Sequence, residues 1–323
     1  MKYNIFTNYV TYLTYYHNKP TIFSKIIFWL RSKIDSSWNN LFDIERFIYV
    51  NSLPNVSLRS SGDFPEIEAL MVTKSEDAEL LTKVIPLAIR NSENKITKIT
   101  LIVPEKSVSS VIEMLRNEEY FGIVNVVNED EVIPEKIRYV LRAEFQDLYG
   151  WVLAQFLKIW TVSKSNAKGV LVLDADTLLL NKRKFLDGSG EQILTPTIEY
   201  NSPYYEFLRK FGDFFGKCLN SYIPHHMLMQ PDYARSALSL WDNSMENMLV
   251  DVIKNYDKNV RSPFCLCFEV YAQYMITHHP NKIAMSKWSN LSVPRKDILE
   301  KDFRKTIKTY EKNFNSISLH SWL

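Results

Sequence analysis

Cysteine is nearly absent: the 323 residues hold 3, Cys218, Cys265 and Cys267. A sparse, odd set with no secretory segment does not build a disulfide framework, and a reducing cytoplasm is the expectation. Cys265-x-Cys267 lacks the usual zinc-finger spacing and has no second pair to complete it, so both residues read as buried thiols. No apolar run approaches the roughly 18 to 20 residues that cross a bilayer, and the Tyr/Asn-rich N-terminus has no secretory h-region. The chain is therefore expected to be neither exported nor membrane-spanning. Charge of one sign is also missing. Lys+Arg 39 against Asp+Glu 37 leaves +2, which gives no reason to expect nucleic acid as a partner. There is no internal repeat or low-complexity tract, and glycine is scarce, with 8 residues. What remains, 46% hydrophobic and 24% charged, is the composition of an ordinary soluble globular chain.

The first clear punctuation is the Pro/Asn/Ser/Gly cluster "LPNVSLRSSGDFP" at 53–65, which reads as a link. It divides an N-terminal appendage, 1–61, from a main domain, 62–323. The appendage carries Lys2, Lys19, Lys25, Arg31, Lys33, Arg46 and Arg59 against Asp35, Asp43 and Glu45, so it is basic. Within it, residues 21–34 set Ile22, Ile26, Leu30 and Ile34 four apart with three basic residues and no acid. Such a helix can lie on the anionic inner face of the cytoplasmic membrane, or pack its stripe on the main domain.

After Pro65 the pattern alternates strand and helix. "IEALMVT" (67–73), "ITKITLIVP" (96–104) and "GIVNVV" (122–127) read as strands. Helical spacing follows at Leu80, Leu81, Val84, Ile85 and Ala88, at Val108, Val111, Ile112 and Leu115, and over 150–163. Repeated βα units predict an α/β fold with a mostly parallel central sheet covered by helices on both faces. Its ligand belongs beyond the carboxyl ends of the strands.

The most specific stretch, "GVLVLDADTLLL" (169–180), puts Asp174 and Asp176 at such an end. In extended backbone i and i+2 point to one side, so the two carboxylates converge and repel unless a cation lies between them. Hard oxygen donors suit Mg2+ or Mn2+, which bind through one or two carboxylates plus substrate phosphates. The bland alternative is a solvated Asx turn closing a strand.

The helix-then-DxD block, "YGWVLAQFLKIWTVSKSNAKGVLVLDADTLLL", resembles that of glycogenin-like nucleotide-sugar glycosyltransferases of the GT-A fold. The run from about residue 66 onward also resembles a family catalogued as a domain of unknown function from bacterial polysaccharide genes, through "GWVLAQFLK" (150–158), "LDADT" (173–177), "HHMLM" (225–229), "FEVYAQY" (268–274) and "LHSW" (319–322). "VLVLDADT" is similar too to the motif of haloacid-dehalogenase-type phosphatases, in which Asp174 would be the nucleophile. That motif normally opens the chain, and no G-D-x-x-x-D follows here; "GDFFGK" (212–217) offers only Asp213. A binding module without turnover is the non-enzymatic alternative.

The glycosyltransferase resemblance implies a metal-dependent transfer from a nucleotide-sugar donor to a glycan or lipid-linked glycan acceptor in bacterial surface polysaccharide synthesis. It implies Asp176 as direct Mn2+ or Mg2+ ligand, Asp174 toward the ribose or the metal, and His320 completing the metal site, with Trp322 helping to order the tail. Gln155 and Lys158, three apart on one helix, are candidates for the donor's phosphate or sugar, and a solvated helix edge is the alternative. Thr73, Lys74 and Asp77, after the first strand, stand where this fold holds the nucleoside. A general base for the acceptor hydroxyl must be His, Asp or Glu. Glu269, costly to bury unpaired, is the first candidate and His226 of the His225-His226 pair the second. Against both stands a structural role in the core. A single carboxylate base opposite the leaving group gives inversion, which is the expectation here, whereas glycogenin-like enzymes retain.

Overall fold

Residues 50–53, 64–197, 201–211, 220–260, 262–299 and 302–320 are described by the structure, a computed structural model. The basic stretch 21–34, with most of the 1–61 appendage, lies outside the described residues, as do Asp213, Cys218 and Trp322.

Strand β1 (Ile67–Val72) leads through a 3-10 turn, Ser75–Leu80, into helix α1 (Leu81–Asn91). Strand β2 (Ile96–Val103) is followed by α2 (Val108–Leu115), and β3 (Val124–Asn128) by α3 (Glu135–Phe145) and α4 (Tyr149–Lys164). Strand β4 (Val170–Leu173) returns to the other side of β1 and pairs with it in parallel. Two further strands, β5 (Thr177–Leu179) and β6 (Gln192–Leu194), and helix α5 (Ser202–Leu208) precede β7 (His226–Met229), which runs antiparallel to β4. The central sheet has the order β3-β2-β1-β4-β7. It is mostly parallel, as the βα pattern predicts.

Alternation within the strands divides the core. Leu171 and Leu173 join Ala69, Met71, Ile99 and Leu101 on one face. Val170 and Val172 join Leu70 and Ile102 on the other. Both faces are dry, which is what makes parallel strands read as nearly unbroken apolar runs. On the second face lie α3, α4, α6 (Pro231–Leu238), α7 (Met245–Asn255) and α8 (Cys267–His278). Cys265 and Cys267 are buried there as free thiols, as their spacing predicts. On the first face, β10 (Ser316–His320) runs between β5 and β9 (Asn290–Pro294) as a second, three-stranded sheet, while β6 pairs with β8 (Ile283–Met285) and their Leu194, Ile283 and Met285 join the core of the second face. Helix α9 (Phe303–Tyr310) precedes β10.

The core also draws on residues ahead of the predicted boundary at 61/62. Val50 and Leu53 are 3% and 7% exposed, and Leu53 packs in the α4 face. Among the described residues no helix is long and apolar enough to cross a membrane.

Candidate active site

Strand order reverses between β1 and β4, since β2 and β3 extend to one side of β1 and β4 to the other. At such a switch point the loops leaving adjacent strands diverge and open a crevice at their carboxyl ends. The crevice here is bordered by Thr73–Asp77 after β1 and by Asp174–Asp176 after β4.

The acid turn is pinned from three directions. Asp174 N donates to His225 O (2.9 Å), Thr177 N closes the turn on Asp174 O (3.0 Å), and Leu319 N of β10 donates to Asp176 O (2.8 Å). β10 is held in turn by the buried Thr177–Ser318 hydroxyl pair at 3.0 Å. Residues some 140 apart in sequence therefore share one rigid seat.

Lys158 Nζ, from α4, forms an ion pair with Asp174 Oδ1, and His225 Nδ1 hydrogen-bonds Asp174 Oδ2 at 3.1 Å. Asp176 Oδ2 faces His320 Nδ1 at 3.6 Å, and the two imidazole rings lie 5.6 Å apart. The acids thus have basic partners of their own, and their closeness does not rest on an inorganic ion alone, contrary to the expectation from spacing. Burial by itself would raise the Asp174 pKa; Lys158 and His225 outweigh it and hold the carboxyl well below the usual carboxylate range. Burial would likewise lower Lys158, but Asp174, followed by Cys267, keeps it protonated above its ordinary value.

Among the described residues no three His, Cys, Asp or Glu side chains are grouped to hold a metal ion. Asp176 and His320 supply two facing donors, and Ser292 Oγ lies 3.1 Å from His320 Nε2. Metal-binding imidazoles characteristically have their second nitrogen held in this way. Two protein donors fit Mg2+ or Mn2+, which complete their shells with phosphate and water. Asp174 is already engaged on both oxygens.

The other predicted residues separate. Lys158 is not on a solvated helix edge, because the middle of α4, 155–159, is buried all round and the Lys158 side chain is 11% exposed. Gln155 is also buried, and its Oε1 accepts the Leu266 amide at 2.6 Å, fastening the start of α8. Thr73 is buried at the end of β1 and Lys74 is exposed beyond it. Asp77 forms an ion pair with Arg295, whose Nη1 donates to Glu76 O (3.0 Å) and whose amide donates to His320 O (3.3 Å). Arg295 thereby ties the turn after β1 to the strand carrying His320. No motif marks it in sequence, and its partners in the turn after β1 lie 218 and 219 residues away.

Neither predicted base faces the crevice. Glu269 has no solvent contact, and its Oε1 accepts from Tyr205 Oη (2.8 Å), Ser221 Oγ (3.1 Å) and Tyr222 N (2.7 Å). Gln273 Nε2 reaches Oε2 at 3.3 Å. Burial raises its pKa despite these donors. His226, 2% exposed, donates Nδ1–H to Pro224 O (2.9 Å) between Phe185 and Trp288. Burial, then the nearby Arg183, pushes its pKa down to about 3, so it is neutral. It is His225 that reaches the acids. Its left-handed φ of 62°, uncommon for a residue with a Cβ, turns the imidazole away from the strand direction. The doubled histidine flagged the locus, but only the backbone handedness says which ring points inward.

A family model described as a family of unknown function, DUF6492, matches residues 73–188, from the end of β1 past the acid turn. No curated protein matches the chain in sequence. Among solved structures the chain is similar to mouse xyloside xylosyltransferase 1 in its apo form, at 14% identity and a TM-score of 0.43, over 79% of this chain and 98% of that one. It is also similar to the galactosyltransferase LgtC in complex with donor and acceptor sugar analogs, at 9% identity and a TM-score of 0.43, over 78% and 86%.

Proposed function

We propose that this chain is a GT-A-type glycosyltransferase. It moves a sugar from a nucleoside-diphosphate donor to a glycan or lipid-linked glycan acceptor in bacterial surface polysaccharide synthesis. The observation that carries the reading is the Asp176–His320 pair, set beside the Lys158–Asp174–His225 cluster at the switch point of the sheet. A leaving nucleoside diphosphate accumulates negative charge, and a site for it needs fixed positive groups around a diphosphate.

Asp176 and His320 would hold Mn2+ or Mg2+, which when bound supplies Lewis-acid stabilisation of the departing phosphate. Lys158 contributes a permanent ammonium beside the same turn, kept in place by Asp174. Thr73, Lys74 and the Arg295-braced Asp77 border the nucleoside's side of the crevice. An inverting transfer needs a base at the acceptor hydroxyl; His225, 18% exposed and hydrogen-bonded to Asp174, has access that Glu269 and His226 lack. The basic stretch 21–34 would bring the enzyme to a membrane-borne acceptor from the cytoplasmic side.

Thermal denaturation with UDP or GDP, with and without Mn2+, tests the reading on the wild type and on Asp176→Asn. Ligand at a hundredfold excess over its Kd stabilises by about 2.7 kcal/mol. A shift that requires both Mn2+ and Asp176 is expected. Equal shifts without the metal would remove its role, and no shift with either nucleotide would end the donor assignment.

A further inference from the structure

Arg183 is a buried cation that the mechanism above does not use. It is 6% exposed, at the chain's exit from β5. Its Nη2 donates to Thr195 Oγ1 (2.8 Å), and the guanidinium lies 4.3 Å from the Trp288 ring centroid. Nη1 is buried with no acceptor among the described residues. Burial lowers its pKa, to about 9, with no carboxylate among the described residues acting on it. Arginine at that value remains cationic at neutral pH. Buried charges in folded chains are nearly always paired, because an isolated ion loses far more hydration than the interior returns. An aromatic face offsets part of that loss. It does not supply the missing acceptor for Nη1.

The position of this cation is informative. Trp288, whose ring carries the guanidinium, also lies 4.9 Å from the His226 ring. His226 pairs in register with Leu173, the residue immediately before Asp174, and adjoins His225, which binds Asp174. Thr195 is the first residue beyond β6. Arg183 is thus linked to the acid cluster through the Trp288 and His226 rings, while its own amide donates to Asn91 O at the end of α1 (2.8 Å).

We propose that Arg183 is the anion-recognition element of a sugar subsite, and that the sugar handled there carries a carboxylate, as uronic acids do. The inference rests on the glycosyltransferase reading and names its substrate class. A carboxylate fits better than a phosphate. One nitrogen is unpaired, the other terminal nitrogen is committed to Thr195, and of the flanking lysines Lys182 is exposed and Lys184 is paired with Glu93. The site therefore offers one positive charge and one free donor nitrogen, which match a monoanion.

The test compares acidic with neutral sugars directly. UDP-glucuronate and UDP-galacturonate are titrated against UDP-glucose and UDP-galactose, and the methyl glycosides of the same four sugars are titrated in the presence of UDP and Mn2+. A hydrogen bond to a charged group is worth about 1.5–3 kcal/mol, so at least one acid should bind about 10- to 100-fold more tightly than its neutral counterpart. Preference in the nucleotide series places the carboxylate on the donor, and preference in the glycosides places it on the acceptor. In Arg183→Met the ratio of acidic to neutral affinity should fall to near one. The wild-type comparison stands by itself if that variant does not fold. No preference for an acid in either series, or a preference that survives Arg183→Met, overturns the proposal. Should UDP bind with Mn2+ while acids and neutral sugars bind alike, Arg183 loses this role and the glycosyltransferase reading stands; absence of any nucleotide binding would instead remove the reading beneath it.

Discussion

His226 and His225 share a residue type and a position in the chain, yet their chemistry diverges because one ring is enclosed and the other is not. The enclosed ring has a measurable consequence. Burial first, and Arg183 second, hold its folded pKa near 3, far below the ordinary value near 6.5. In the unfolded chain it takes up a proton as pH falls through 6.5, while the native ring stays neutral. The unfolded state then binds more protons, so stability is intact above about pH 6.5 and is lost progressively as pH falls toward 3. From pH 8 to pH 5 this one group should account for about 2 kcal/mol. Urea midpoints at the two pH values, for the wild type and for His226→Phe, check it: the variant should lack that part of the decline. Parallel declines would show that the ring is protonated in the fold. Nothing in the sequence distinguished the two histidines, since desolvation depends on Phe185 and Trp288, which reach His226 from distant parts of the chain.

At the scale of elements, Glu269 joins segments that no local rule connects. It sits in the first turn of α8 and receives donors from α5 through Tyr205, from the segment entering β7 through Ser221 and Tyr222, and from its own helix through Gln273. Glu269→Ala should remove the acceptor shared by four buried donors, at about 1–3 kcal/mol each. Glu269→Gln keeps an oxygen for them and should cost much less. Denaturant titration of both variants separates this fastening role from a catalytic one: as the base, Glu269 would lose turnover in Glu269→Gln with little change in stability. The elements themselves were largely legible. β1, β2, β4 and α4 fall within a residue or two of their apolar periodicity, because burying both faces of the sheet imposes that pattern. The enclosure of the middle of α4 was not legible. Gln155 and Lys158 look like a polar edge until α8 and the acid turn are packed against them.

For the molecule as a whole, the limit of the folding unit is set by packing. The Pro/Ser/Gly-rich link suggested a boundary at 61/62, but Leu53 packs in the core and Val50 is equally enclosed. A chain beginning at residue 62 should be less stable than one beginning at residue 48 by about 3 kcal/mol or more, since burying a Val or Leu side chain contributes about 1.5–3 kcal/mol each. Comparing the melting of the two truncated chains tests this; equal stability would assign both residues to the appendage. The sequence alone determined the fold class, strands β1 to β4 and the place of Asp174 and Asp176 at a strand end, because hydrophobic periodicity and a carboxylate pair at a strand end are local properties of the chain. It did not determine that Lys158 and His225 hold one acid and His320 faces the other, that Arg295 braces Asp77, or that Arg183 is buried without a carboxylate among the described residues. Those relations join side chains from tens to more than two hundred residues apart, and their energies arise from distance, desolvation and backbone handedness, which exist only once the two sheets and α4 are packed.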